Sequence, residues 1–147
     1  MSAVPRDRLT REAIVEYART WDGVPYKHQG RSRETGVDCV GLLYVVADHF
    51  GLDPVDFPVY PRVPQGQVML RELRRRLIEK PVRDRLPGDV LHLEMGKQLR
   101  HVGILTERNG RESLIHAAGL QGRVIEHALD RWIEKAHSCF AFPGLED

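Results

Sequence analysis

Spanning 147 residues, 41% hydrophobic and 29% charged, the chain is the size of one ordinary domain with a core of its own, and its composition excludes a disordered polymer. A formal charge of +1 excludes the strong basic field of a nucleic-acid binder. Two cysteines, Cys39 and Cys139, are too few for a disulfide framework and lack the CxxC spacing of a structural zinc site, so we expect neither.

The opening residues, MSAVPRDRLTREAI, place charges where a secretory signal would need an apolar stretch. The longest apolar run, Val40 to Ala47, falls far short of the roughly 20 residues that span a bilayer. The expectation is a single domain over residues 1–147, made in the cytoplasm without a signal peptide, with no membrane insertion and no nucleic-acid partner.

The first helix is predicted from Thr10 to Trp21. Thr10 is its N-cap, and Ile14, Tyr17, Ala18 and Trp21 fall on one face. "DGVPY" ends it, and "KHQGRSRETG" reads as a polar loop. A second helix begins at Asp38 or Cys39 and stops near Phe50, with Gly51 as its C-terminal stop. It is apolar nearly all round, so it should be the buried central helix. "DPVDFPVYPRVP" reads as an extended connector over the surface. A third helix is predicted from Gln67 to Lys80, with Leu70, Leu73 and Leu77 as its buried stripe. The arginines of "RELRRR" then form its solvated face.

After Pro81 the runs shorten. "DVLHLEM", "RHVGILTE", "ESLIHAAG", "RVIEHAL" and "SCFAFP" read as strands, with "PGD", "RNG" and "LQG" as turns. "LDRWIEKA" reads as a short helical turn before the last strand. The fold class is therefore α+β, with N-terminal helices and a buried central helix packed on a C-terminal antiparallel meander of about five strands.

Cys39 opens the central helix. Unpaired N–H groups and the partial positive charge of a helix N-terminus stabilise a thiolate and lower its pKa. The same N–H groups could hold a developing oxyanion. Asp38 fits as the N-cap; its own charge opposes the thiolate, so it positions rather than activates. On position alone, a buried core cysteine with no chemistry, the commonest fate of the residue, is the simpler reading. Cys139, flanked by Phe140 and Phe142, reads as core. A nucleophile needs a base, and His101 stands at the start of "HVGIL". His116 lies in the next strand and could orient the His101 ring. His28, His49, His92, His127 and His137 read as ordinary surface or core residues, His28 being of interest for its nearness to Tyr26.

Five segments in order now resemble the NlpC family of cell-wall cysteine peptidases, which have a papain-like core. "GVPYKHQG" is similar to the family's G-x-P-Y-x-x-G-G, with Tyr26 as its active-site tyrosine. "GVDCVGLL" is similar to the D-C-S-G-L nucleophile motif. "LPGDVL" resembles the P-G-D-L entry to the first core strand. "HVGIL" resembles the H-V-G-I-Y that carries the base, and "LIHAAG" the strand with the third polar residue. The resemblance implies a catalytic set of Cys39, His101 and His116. Tyr26, Asp38 and Val40 would position substrate or oxyanion, with the backbone N–H of Cys39 and the Tyr26 hydroxyl as donors. It implies cleavage of peptidoglycan stem peptides between γ-D-glutamate and a diamino acid such as diaminopimelate, without metal or cofactor.

"PYKHQGR" and the short length resemble the branch found in phage tails and gene-transfer agents. That branch implies tail-tip or hub proteins as partners, a place on the particle, and action in the periplasm of the target cell. Two departures stand out. Val40 follows the nucleophile where serine or alanine is usual, and "HQG" lacks one glycine of the family pair. Two alternatives remain: a tail-tip component that has kept the fold and lost catalysis, and an amidase or acyltransferase on the same core. In lipid-processing relatives the histidine usually precedes the cysteine; here the order favours the peptidase.

Overall fold

The computed structural model describes residues 8–56, 66–95 and 98–147. Helix α1 (Arg11–Arg19) is capped by Thr10, whose side chain accepts the Ala13 N–H at 3.1 Å. Ile14, Ala18 and Trp21 of the expected face are buried, and Tyr17 stacks on His49 with ring centroids 3.7 Å apart. The segment read as a polar loop contains a small hairpin, β1 (Arg31–Ser32) and β2 (Gly36–Val37). Helix α2 (Cys39–His49) follows at once and is buried along most of its length, as an apolar circumference requires. Gly51 leaves it in the left-handed conformation, φ +75°. Most of the proline-rich connector lies outside the described residues.

Helix α3 (Gly66–Arg76) ends earlier than expected. Met69, Leu73 and Leu77 are buried on its inner side. Residues read as its last turn form strand β3 (Ile78–Lys80) instead. Lys80 precedes Pro81, and the proline ring pushes the preceding residue out of the helical region. The strand pairs with β8 (Ala136–Ala141), matching Lys80 to Cys139. The sheet therefore has six strands, β3 adding one at its edge, beside β8, to the five runs read after Pro81.

The meander expected for the second half holds for β4 (Val90–Met95), β5 (Gln98–Arg108), β6 (Arg111–Ala118) and β7 (Arg123–Ala128). Asn109 and Gly110 make the β5–β6 turn with φ of +53° and +77°, the left-handed pair that suits a two-residue hairpin. After β7 the chain runs through a 3-10 segment, Asp130–Lys135, and β8 then returns to the far side of β4. Strand alternation divides the core. Val90, Val102, Ile104, Ile115, Ala117 and Val124 face the helices. Leu91, Leu93, Leu105, Leu114 and Cys139 face the other way, where Val82, Trp132 and Ile133 cover them. Cys139 is fully buried there, as core.

Asp89, the acid of the "PGD" turn, ties the two halves of the chain together. It is fully buried and accepts from Arg11 of α1 at 2.6 Å and from Lys80 of β3 at 2.8 Å. It also accepts the Leu86 N–H at 2.8 Å. A buried carboxylate is tolerated when every lone pair is used this way.

Candidate active site

Asp38 organises the entrance to α2. One carboxylate oxygen accepts the Gly41 N–H at 2.8 Å and the Arg31 guanidinium at 3.1 Å. The other accepts the Gln29 N–H at 2.7 Å. The side chain is only 3% exposed, so these partners replace its water. The cap expected from sequence is therefore present and also binds the preceding loop. His28 approaches it too, with Nδ1 4.0 Å from Oδ2.

The loop packs against α2 at closest range where glycines stand. A Cβ on Gly30 would lie 2.2 Å from the Gly36 carbonyl oxygen, and one on Gly41 would lie 2.2 Å from the Gly30 carbonyl oxygen. Gln29, by contrast, occupies the left-handed region at φ +60°. That conformation costs a non-glycine residue on the order of 1 kcal/mol. The lost family glycine is thus the one whose conformation a side chain can adopt at a cost, and the charge-assisted bond to Asp38 offsets it. The retained glycine is the one with no room.

Cys39 is 8% exposed. Its sulfur receives the backbone N–H groups of Val40 and of Val102, the residue after His101. Burial, and next the Asp38 carboxylate, push the thiol up to about 12, against the weaker pull of those N–H groups and of Arg31. This reverses the lowered pKa expected from a helix N-terminus. The N-terminal field acts within a turn, but the packed sheet removes the water that would solvate a thiolate. The resting thiol is neutral and needs a base during attack. Val40 points its side chain into the core, 1% exposed.

The two candidate histidines lie on neighbouring strands. His101 on β5 meets His116 on β6, Nε2 to Nδ1, at 2.7 Å, with the rings nearly perpendicular at 87°. Pairing of β5 with β6 runs from Arg108 opposite Arg111 to Ile104 opposite Ile115. The two histidines follow just past that last pair, diagonal to each other. Gly103 lets Leu114 lean across β5, since a Cβ there would sit 2.8 Å from the leucine side chain. Burial, then His127 and His92, hold His101 down at about 4. Burial, then its two histidine neighbours, holds His116 down at about 2. Both rings are neutral at pH 7.

Tyr26 is partly buried against the same core. Its N–H donates to the Gly122 carbonyl at 2.8 Å, and it bridges to Val37, the residue before Asp38. The tyrosine segment therefore spans from the cap of α2 to the β6–β7 turn. Tyr26, Asp38, Cys39 and Val40 thus lie where α2 begins, and the Val102 N–H brings the His101 end of β5 to the Cys39 sulfur.

One residue taken as ordinary in the sequence belongs with them. His127 on β7 meets His116, Nε2 to Nε2, at 2.8 Å, and its Nδ1 donates to the Ala128 carbonyl at 2.8 Å. It lies opposite Leu114 in the β6–β7 register, on the same face as His116. The other histidines pair elsewhere: His49 with Tyr17, His92 with Ser138, His137 with Glu94. Among the described residues, no three His, Cys, Asp or Glu side chains are arranged to hold a metal ion.

Residues 23–140 match the NlpC/P60 family. No curated protein sequence matches the chain. Among solved structures, the NlpC/p60 domain of the peptidoglycan hydrolase SagA superposes with a TM-score of 0.63 at 20% identity, covering 90% of this chain and 99% of that one. An NlpC/P60 family protein from Bacillus cereus gives 0.65 at 19% identity over 93% of this chain. NlpC2 from Trichomonas vaginalis gives 0.64 at 19% identity over 90%. The match covers only 41% and 46% of those last two chains. At such identities the likeness is one of fold.

Proposed function

The chain belongs to the NlpC/P60 family, generally cysteine peptidases and cell-wall hydrolases, and from that premise we propose that it is a cysteine endopeptidase acting on peptidoglycan stem peptides. The observation that carries the proposal is the Cys39 sulfur lying against the Val102 N–H, one residue from a His101 already bonded to His116. The neutral thiol passes its proton to His101 as the sulfur attacks the amide carbonyl. The Cys39 N–H and the Tyr26 hydroxyl receive the oxyanion. His101 then gives the proton to the leaving amine, and water hydrolyses the thioester. The bond cut is the one between γ-D-glutamate and diaminopimelate.

The likeness of "PYKHQGR" to the tail-borne branch supports a place on a phage or gene-transfer-agent tail tip, among hub proteins, with action in the periplasm. The test is mass spectrometry of peptidoglycan fragments after incubation with the parent, Cys39→Ala and Cys139→Ala. Fragments cut at the stem peptide by the parent and Cys139→Ala, and absent with Cys39→Ala, uphold the assignment. Equal cutting by all three refutes it. Detection of the chain in purified particles upholds the tail location; its confinement to host cytoplasm refutes it. One observation favours a second reading: a thiol this buried, held near 12, also suits a tail component that has kept the fold and lost catalysis. No cleavage by the parent selects that reading.

A further inference from the structure

Three imidazoles form an unbroken chain that ends on a backbone carbonyl. His101 Nε2 meets His116 Nδ1 at 2.7 Å, His116 Nε2 meets His127 Nε2 at 2.8 Å, and His127 Nδ1 meets the Ala128 oxygen at 2.8 Å. A carbonyl oxygen only accepts, so His127 Nδ1 carries a hydrogen. A neutral ring has one N–H, so His127 Nε2 is bare and accepts. His116 must then donate from Nε2, which leaves its Nδ1 bare. His101 must in turn donate from Nε2 to that atom. Its Nδ1 is left with a lone pair and no proton.

We propose that His127 is a positioning residue: by anchoring on the Ala128 carbonyl it sets, through His116, the Nε2–H tautomer of His101 that can accept the Cys39 proton at Nδ1. The proposal rests on the peptidase reading for its catalytic consequence, and on geometry alone for the tautomer. Without an acceptor at position 127, His116 can carry its hydrogen on Nδ1. It then donates to His101 Nε2, and the single hydrogen of His101 moves to Nδ1. A ring protonated at Nδ1 cannot take a proton there. The reaction balances with the intended order: the thiol hydrogen goes to His101 Nδ1 and then to the leaving amine, while the Nε2 hydrogen stays in the chain. During the charged interval, the imidazolium is stabilised by polarised bonds running outward to the half-buried ring of His127.

Two variants separate this role from simple packing. His127→Phe keeps ring volume and loses the acceptor. His127→Gln keeps both functions, because its amide NH2 donates to the Ala128 oxygen and so turns its own oxygen toward His116. The readouts are the tautomers of His101 and His116 by 15N NMR and steady-state cleavage of muropeptides. The parent should show Nε2–H at both rings. His127→Phe should shift His101 toward Nδ1–H and lower kcat about tenfold, the worth of one ordering hydrogen bond, with KM changed less than about twofold. His127→Gln should keep the parental tautomers and lose less than about threefold in kcat. An Nδ1–H tautomer of His101 in the parent overturns the proposal, even if His127→Phe fails to fold. Parental tautomers and kcat in folded His127→Phe overturn it as well. A parent that shows the expected tautomers but cuts nothing upholds the hydrogen-bond order and removes the peptidase reading.

Discussion

Adding one methyl group at Gly41 should destabilise the protein even though alanine is the better helix former. The new Cβ would lie 2.2 Å from the Gly30 carbonyl oxygen, about 1.2 Å short of ordinary contact at 3.4 Å. The loop cannot retreat freely. Gly30 donates its N–H to Lys27 at 2.8 Å and accepts Arg31 Nη1 at 2.7 Å, and Gln29 is held by Asp38. Overpacking of this kind costs about 1–3 kcal/mol, and disturbing the charged bond between Gln29 and Asp38 costs about 1.5 more. The helix-propensity gain of Gly41→Ala is at most about 1 kcal/mol. The net loss is roughly 2 kcal/mol, which for a domain of this size lowers Tm by about 4–8 °C. Thermal unfolding followed by circular dichroism at pH 7 measures it. An unchanged or higher Tm would mean that propensity wins and that the loop is not pinned to α2. The same variant should also lose activity, because the loop and cap move with it.

Stability should depend on pH through the buried histidines. His101 has its folded pKa lowered to about 4 from 6.5, so below 6.5 the unfolded chain binds the extra proton and the folded one does not. The neutral ring's contribution is intact above about 6.5 and falls as pH drops toward 4, by about 2 kcal/mol for this ring between pH 7 and pH 5. Urea unfolding at the two pH values tests this, and equal stability at both would contradict it. Asp38→Asn should lower the Cys39 pKa, because it removes the second cause of its elevation, while costing about 1–2 kcal/mol in lost acceptor bonds. The pH dependence of Cys39 alkylation in a Cys139→Ala background reads the first effect; an unmoved or raised pKa is the contrary result. Asp89→Ala should cost about 3 kcal/mol or more, since Arg11 and Lys80 would be left partly buried and unpaired. A loss under about 1 kcal/mol in denaturant titration would show that those cations relax to water.

Some of the site was legible from residue order. Asp38 before an apolar run marked a cap, and the cap is there. His101 and His116 sat on successive strands, and the rings touch. The missing family glycine was visible as Gln29, although its left-handed backbone and its bond to Asp38 were not. Strand β3 was masked because Leu70, Leu73 and Leu77 carried a helical period up to its edge. Pro81, four residues beyond Leu77, was the available signal. His127 had a weaker one: it stood in the next strand-like run, but which face it occupied depended on the β6–β7 register.

What the sequence by itself determined is local: caps, helical faces, turns, and the order of five short motifs that point to the family. Each depends on neighbours a few residues away, whose geometry the backbone dictates. Only the tertiary structure decided the rest. The return of β8 to β4 determined which strand covers which edge. The register of three strands turned two histidines into a chain of three ending on a carbonyl. Burial under the sheet overrode the field at the start of α2 and left Cys39 a neutral thiol. Desolvation and strand register are set by residues far apart in the chain, so no stretch around Cys39 could have announced them.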